Sequence, residues 1–161
     1  MAVEVDSSTG SRARQRLAER DRGRAAGVAT WDDVRRIALG LPETFEHTHR
    51  GALDWRVKHR ENGKLFVWER PLGKRDVEAL GDAAPRGPVL GARVPDLGAK
   101  EAVLASDPEV YFTIPHFDGY PAVLVRLERI DVAALEELIV EAWLCRALKS
   151  VVKRYLDEHP L

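Results

Sequence analysis

A chain of 161 residues is the usual size of one domain and long enough to bury a core. With 45% hydrophobic and 32% charged residues it is ordinary globular material, and no apolar run approaches the roughly 18 residues that a membrane helix needs. The net charge of −1 speaks against a domain that binds nucleic acid through an overall basic balance.

The charge is unevenly spread. Arg12, Arg14, Arg16, Arg20, Arg22 and Arg24 stand against only Glu19 and Asp21, whereas from Ala25 onward 19 basic residues face 22 acidic ones. Residues 1–28 are rich in Ser, Gly, Ala and Arg and hold almost no large apolar side chain, so they read as a disordered tail ahead of a single domain at 29–161. No apolar stretch follows the basic residues, so a secretory signal is not expected. Cys145, the only cysteine, reads as a small buried hydrophobe in a reducing compartment, and the cytoplasm is the expected location.

Thr30 is a good N-cap, followed by Asp32 and Asp33 in the first turn, where the helix dipole favours carboxylates. Val34, Ile37, Ala38 and Leu41 recur at helical spacing, and Gly40 with Pro42 predicts the end of that helix. The period then changes to two. Leu53, Trp55, Val57 and His59 alternate with Asp54, Arg56 and Lys58, and Asn62-Gly63 is a hairpin signal. The return strand over 64–70 sets Leu65 and Val67 on one face and Phe66 and Trp68 on the other. Residues 71–88, with three prolines and three glycines, form a long loop around a short helical fragment at 76–80. A third strand follows at 89–94, a helix at 97–105, and two more strands at 110–114 and 122–130.

Asp131 caps the last helical region. Val132, Leu135, Leu138, Ile139 and Ala142 share one face of it, while Leu144, Leu148, Val151, Val152 and Tyr155 share a nearly opposite face. One straight helix would need apolar partners on both sides. Either it breaks near residues 143–147, the favoured reading, or the Leu144/Leu148/Val151/Tyr155 stripe forms a homodimer face. The order α-β-β-β-α-β-β-α(α) predicts an α+β fold, a mainly antiparallel five-stranded sheet with helices on one face.

The run Asp-Pro-Glu-Val-Tyr-Phe-Thr-Ile-Pro-His-Phe-Asp-Gly-Tyr-Pro-Ala-Val-Leu-Val-Arg-Leu at 107–127 resembles the signature of the MmcQ/YjbR family. Trp31-Asp32-Asp33-Val34-Arg35 running to Leu41-Pro42-Glu43, and Glu141-Ala142-Trp143 with Lys149 six residues later, fit the same family. The resemblance spans residues 30–159 and implies a fold similar to bacterial frataxin (CyaY-like) and a DNA-binding label. Ala52 and Leu148 stand where proline is common in the family, and the 71–88 loop is longer than usual.

Three groups of residues are candidates for function. His116, Asp118 and Tyr120 form a possible ligand loop, but they lack a nucleophile, so no catalytic residue is assigned. Glu46, His47 and His49 resemble a partial metal site, but a surface loop is the preferred reading, with no metal or cofactor assigned. The six tail arginines, with Arg56, Lys58, Arg60 and Lys64 around the hairpin, are candidates for electrostatic contact with DNA or RNA, against a solvated leader for the tail and, slightly preferred for the hairpin, a solvated strand face whose charges protect an edge. The sequence thus favours a non-enzymatic binding module.

Overall fold

The computed structural model describes residues 27–160; the tail arginines Arg12 to Arg24 lie outside the described residues. The described chain runs α1 (Trp31–Leu39), β1 (Thr44–His49), β2 (Ala52–Val57), β3 (Lys64–Glu69), α2 (Lys74–Leu80) and β4 (Val89–Arg93). It continues with α3 (Leu97–Ser106), β5 (Tyr111–Phe112), β6 (Ala122–Arg126), α4 (Val132–Arg146) and α5 (Lys149–Glu158). The sheet has six strands in the order β1-β2-β3-β4-β6-β5, every pair antiparallel. None of the described helices is long and apolar enough to cross a membrane.

The helix starts follow from their caps. Asp33 N–H donates to the Thr30 hydroxyl while the Asp33 carboxylate takes the Thr30 N–H, so two donors that α1 would leave orphaned are satisfied reciprocally. Asp131 accepts from Ala134 N–H at 2.8 Å and starts α4. Immediately beside it the chain entry is fastened, since Val28 bridges to Asp131 and Ala29 N–H donates to the Ile130 carbonyl.

One face of the sheet carries the main core, where Val34, Trp55, Phe66, Val125, Ile139 and Trp143 pack. The opposite face carries a smaller cluster of Trp68, Phe112, Ile114, Phe117 and Leu124, against which Leu72 and Leu80 of the 71–88 segment pack. Gly91 lies opposite Trp68, and a Cβ there would stand 2.2 Å from the indole, so the bare backbone admits the large ring.

The sheet departs from the expected pattern in three places. The segment at 44–49, read as a loop, is β1, a sixth strand on the sheet edge. The β2–β3 register pairs Trp55 with Val67 but Arg56 with Leu65, leaving Phe66 as an extra bulged residue. The bulge flips the alternation: Phe66 and Val67 both enter the main core, while Leu65 and Trp68 go to the second cluster. Instead of a two-residue Asn62-Gly63 hairpin, β2 stops at Val57, and the connection turns through left-handed Arg60 (φ 59) and Gly63 (φ 72).

The last helical region breaks. Ala147 and Leu148 take extended ψ of 156 and 140, so α4 ends and α5 starts in a new direction without a proline at 148. The break turns the second apolar stripe inward. Val151 and Tyr155 are buried in the main core and the Tyr155 ring meets Trp143 edge-on at 4.9 Å. Burying a Val side chain contributes roughly 1.5–3 kcal/mol, which offsets helical hydrogen bonds worth about 1 kcal/mol each. Of the four stripe residues proposed for a dimer face, Leu148 alone is exposed, at 39%.

Candidate functional site

The hairpin cations divide into two pairs. Arg56 donates to the buried Asp54 carboxylate at 2.9 Å and Lys58 faces Glu43 at 3.5 Å, so the charges of both are compensated. Arg60 and Lys64 have no carboxylate partner among the described residues. They line a groove of about 620 Å³ together with Arg146, Lys149, His59 and Cys145, and no Asp or Glu takes part in its wall.

The break between α4 and α5 builds the far wall of this groove. Arg146 is the last residue of α4 and Lys149 the first of α5, so two cations flank the bend. The N-cap of α5 is Leu148, whose side chain offers no acceptor, so the positive end of this ten-residue helix opens toward the groove without a capping oxygen. Arg146 is steadied by donating from Nε to the Leu65 carbonyl at 3.2 Å.

The electrostatics report the same excess of positive charge. Burial, then Lys64, Arg60 and Arg146, push the His59 imidazole below its ordinary range. Burial first, and then Arg93, lower the Arg146 guanidinium. The Cys145 thiol is pushed up, chiefly by burial, and it donates to the Ala142 carbonyl at 3.2 Å; it is half-buried and belongs to the groove wall.

The loop at 115–121 is organised differently. Gly119 has φ 72, the left-handed turn expected of Asp118-Gly119, with Tyr120 N–H bonded back to the Phe117 carbonyl at 3.0 Å. Beneath the loop, Lys100 is only 7% exposed and donates to the Phe117 carbonyl at 2.6 Å and the Tyr120 carbonyl at 2.9 Å. Burial lowers its pKa, and Asp118 opposes the shift. His116, Asp118 and Tyr120 are all exposed. The His116 ring rests on the edge of Phe117, and the Tyr120 hydroxyl accepts from Arg93, whose guanidinium also lies over the Tyr120 ring at 4.8 Å. None of the three bonds to another, so the geometry does not join them as an acid–base set.

At the β1 edge, Glu46 is on the opposite face from His47 and His49. It accepts from Arg35 at 2.7 Å and from the Trp55 indole at 3.1 Å, which removes it from any site with the histidines. Among the described residues no group of three or more His, Cys, Asp or Glu is placed to hold a metal ion.

Of the four cations that line this groove, the sequence reading named Arg60 and Lys64 and did not name Arg146 and Lys149. The signal was available: the two opposed apolar stripes locate the bend, and those cations sit on either side of it.

Comparison with known proteins places these features in a wider set. The family model YjbR matches residues 39–145, which takes in Arg60, Lys64 and the 115–121 loop and stops before Lys149. The uncharacterized proteins Rv2570 of Mycobacterium tuberculosis and Mb2600 of Mycobacterium bovis are each 55% identical over 132 residues, covering 80% of this chain and 97% of the relative. Among solved structures, the crystal structure of Deinococcus radiodurans protein DR2400, with a DUF419 domain, superposes with a TM-score of 0.58. It has 19% sequence identity and covers 84% of this chain and 91% of that one, a likeness of fold.

Proposed function

The chain belongs to the YjbR family, and on that premise we propose that it is a non-enzymatic binding module whose groove takes the phosphate backbone of nucleic acid. The observation that carries this reading is a set of cations without an ion-pair partner among the described residues: Arg60, Lys64, Arg146 and Lys149 line one groove, and no described carboxylate takes part in its wall. Cations without a carboxylate partner among the described residues, on a domain that is otherwise mildly acidic, are an arrangement suited to an external anion. A helix N-terminus adds backbone donors of the kind that phosphate oxygens accept. Contacts of this sort fix position and release counterions; they carry no sequence information by themselves.

Fluorescence anisotropy with mixed-sequence duplex DNA and RNA, measured against salt, tests the proposal. Four phosphate contacts give a log–log slope of about −3.6 on duplex DNA. A protein lacking residues 1–26 that keeps this slope assigns the binding to the groove, whereas a slope that vanishes with those residues moves it to the arginine-rich tail. The absence of detectable binding by the full chain at low salt overturns the proposal.

A further inference from the structure

We propose that His47 and His49 form a binding site for a late first-row divalent cation on the outer edge of the sheet, with Asp54 as its positioning residue. Side chains two apart on a strand point the same way, so β1 places both imidazoles on one face. The rings lie nearly parallel, 6.5 Å between centroids with 20° between their planes, and both residues retain access to solvent. Across the strand pair, His47 stands opposite Asp54 and His49 opposite the small side chain of Ala52, which leaves room for the exposed His49 ring to swing toward a shared ion.

The Asp54 carboxylate is the more telling part. It is 7% exposed, meets His47 Nδ1 at 3.1 Å and is itself held by Arg56 Nε at 2.9 Å. An ionised carboxylate only accepts, so the shared proton resides on Nδ1, and in the neutral imidazole Nε2, on the side of the ring away from this contact, is the nitrogen left with a lone pair. A carboxylate behind a ligating imidazole fixes its tautomer and orientation and raises its basicity. Two imidazoles with no carboxylate or thiolate in the inner shell suit Cu²⁺, Ni²⁺ or Zn²⁺ rather than Mg²⁺ or Ca²⁺, and Cu²⁺ is bound most tightly of these. Water completes the coordination, because no third protein donor among the described residues joins the pair.

The experiment is a Cu²⁺ titration of the full chain in a non-coordinating buffer, followed by calorimetry and by the nitrogen couplings in the Cu²⁺ electron paramagnetic resonance spectrum. The unmodified protein is expected to take up one equivalent with two imidazole nitrogens. His49→Ala, at an exposed position, weakens binding at least tenfold and leaves one nitrogen. Asp54→Asn keeps both ligands and weakens binding about 10- to 100-fold, with circular dichroism checking that this buried substitution leaves the fold intact. His116→Ala leaves the titration unchanged. A His47→Ala/His49→Ala protein that binds Cu²⁺ as the native chain does overturns the proposal, as does a native spectrum without two imidazole nitrogens.

Discussion

The groove beside Arg60 and the loop above Lys100 both bring cations to the end of the sheet, but they use them in opposite ways. Under the loop, the Lys100 ammonium is buried and spends its hydrogens on the Phe117 and Tyr120 carbonyls, and Arg93 is occupied by Tyr120. At the groove, Lys64 and Lys149 are the same residue type, yet neither has an ion-pair partner among the described residues, and His59 is lowered in part by its cationic neighbours. A cation that satisfies the protein's own oxygens is a structural device. Cations gathered with no carboxylate beside them repel one another and weaken the fold slightly, and an outside anion is the partner proposed for them.

The contrast predicts opposite consequences for removing a cation in each region. Lys100→Met keeps the aliphatic volume but strips the donor from two carbonyls, one of them in a buried bond. Leaving such groups unmet costs about 3 kcal/mol, read as a lower urea midpoint with unchanged slope, while nucleic-acid binding persists well below the melting temperature. The groove should give the reverse. Arg60→Glu with Lys64→Glu is expected to leave the urea midpoint equal or slightly higher, to remove about 1.8 from the salt slope, and to lower duplex affinity about 10- to 100-fold near 0.1 M salt. Arg56→Gln and Lys58→Gln, whose charges are already paired, should change affinity much less. Equal losses from both pairs would erase the distinction between paired and unpaired cations.

The loop supplies a smaller, internal version of the same comparison. Gly119 has φ 72 and nothing within 4 Å of an added Cβ, so Gly119→Ala meets conformational strain alone and costs roughly 1 kcal/mol. His116→Ala removes an exposed ring resting on Phe117 and should stay within about 0.5 kcal/mol of the native stability. Differential scanning calorimetry on the pair reads both. Loss of nucleic-acid affinity in His116→Ala without a change in stability would make the loop part of the binding surface.

What the sequence disclosed and what it concealed follow a physical line. Thr30, Asp131 and Gly119 act within three residues of themselves, and each was legible because caps and turns are local chemistry. The bend at 147–148 was legible too, because two opposed apolar stripes cannot both be buried on one straight helix. β1 was concealed because Thr-Phe-Glu-His-Thr-His has one apolar side chain, and an edge strand is held by pairing with β2 more than by its own burial. The Phe66 bulge was concealed because it arises from the register of two strands, a relation that neither strand's alternation records. The groove joins residues 59–64 with 144–152, and the carboxylates that withdraw Arg56 and Lys58 from it, Asp54 and Glu43, declare themselves only in three dimensions.

The finest test of the comparison uses the proton as its probe. His59 titrates below its ordinary value because of its burial and then because of Lys64, Arg60 and Arg146. In the free protein, therefore, the unfolded chain takes up this proton at a higher pH than the folded chain does. Stability attributable to His59 is present above its unfolded value, near 6.5, and declines as pH falls toward the lowered folded value. A phosphate seated among the same cations cancels their field, so the imidazole in the complex should titrate higher than in the free protein. Complex formation then takes up part of a proton, and affinity should rise as pH falls through the interval between the free and bound values, by less than one log unit per pH unit. Calorimetry in buffers of different ionisation enthalpy counts that proton directly. His59→Gln should abolish the uptake while leaving the salt slope nearly unchanged. Proton uptake that survives in His59→Gln, or release in place of uptake, would mean that the anion sits away from the groove's cations.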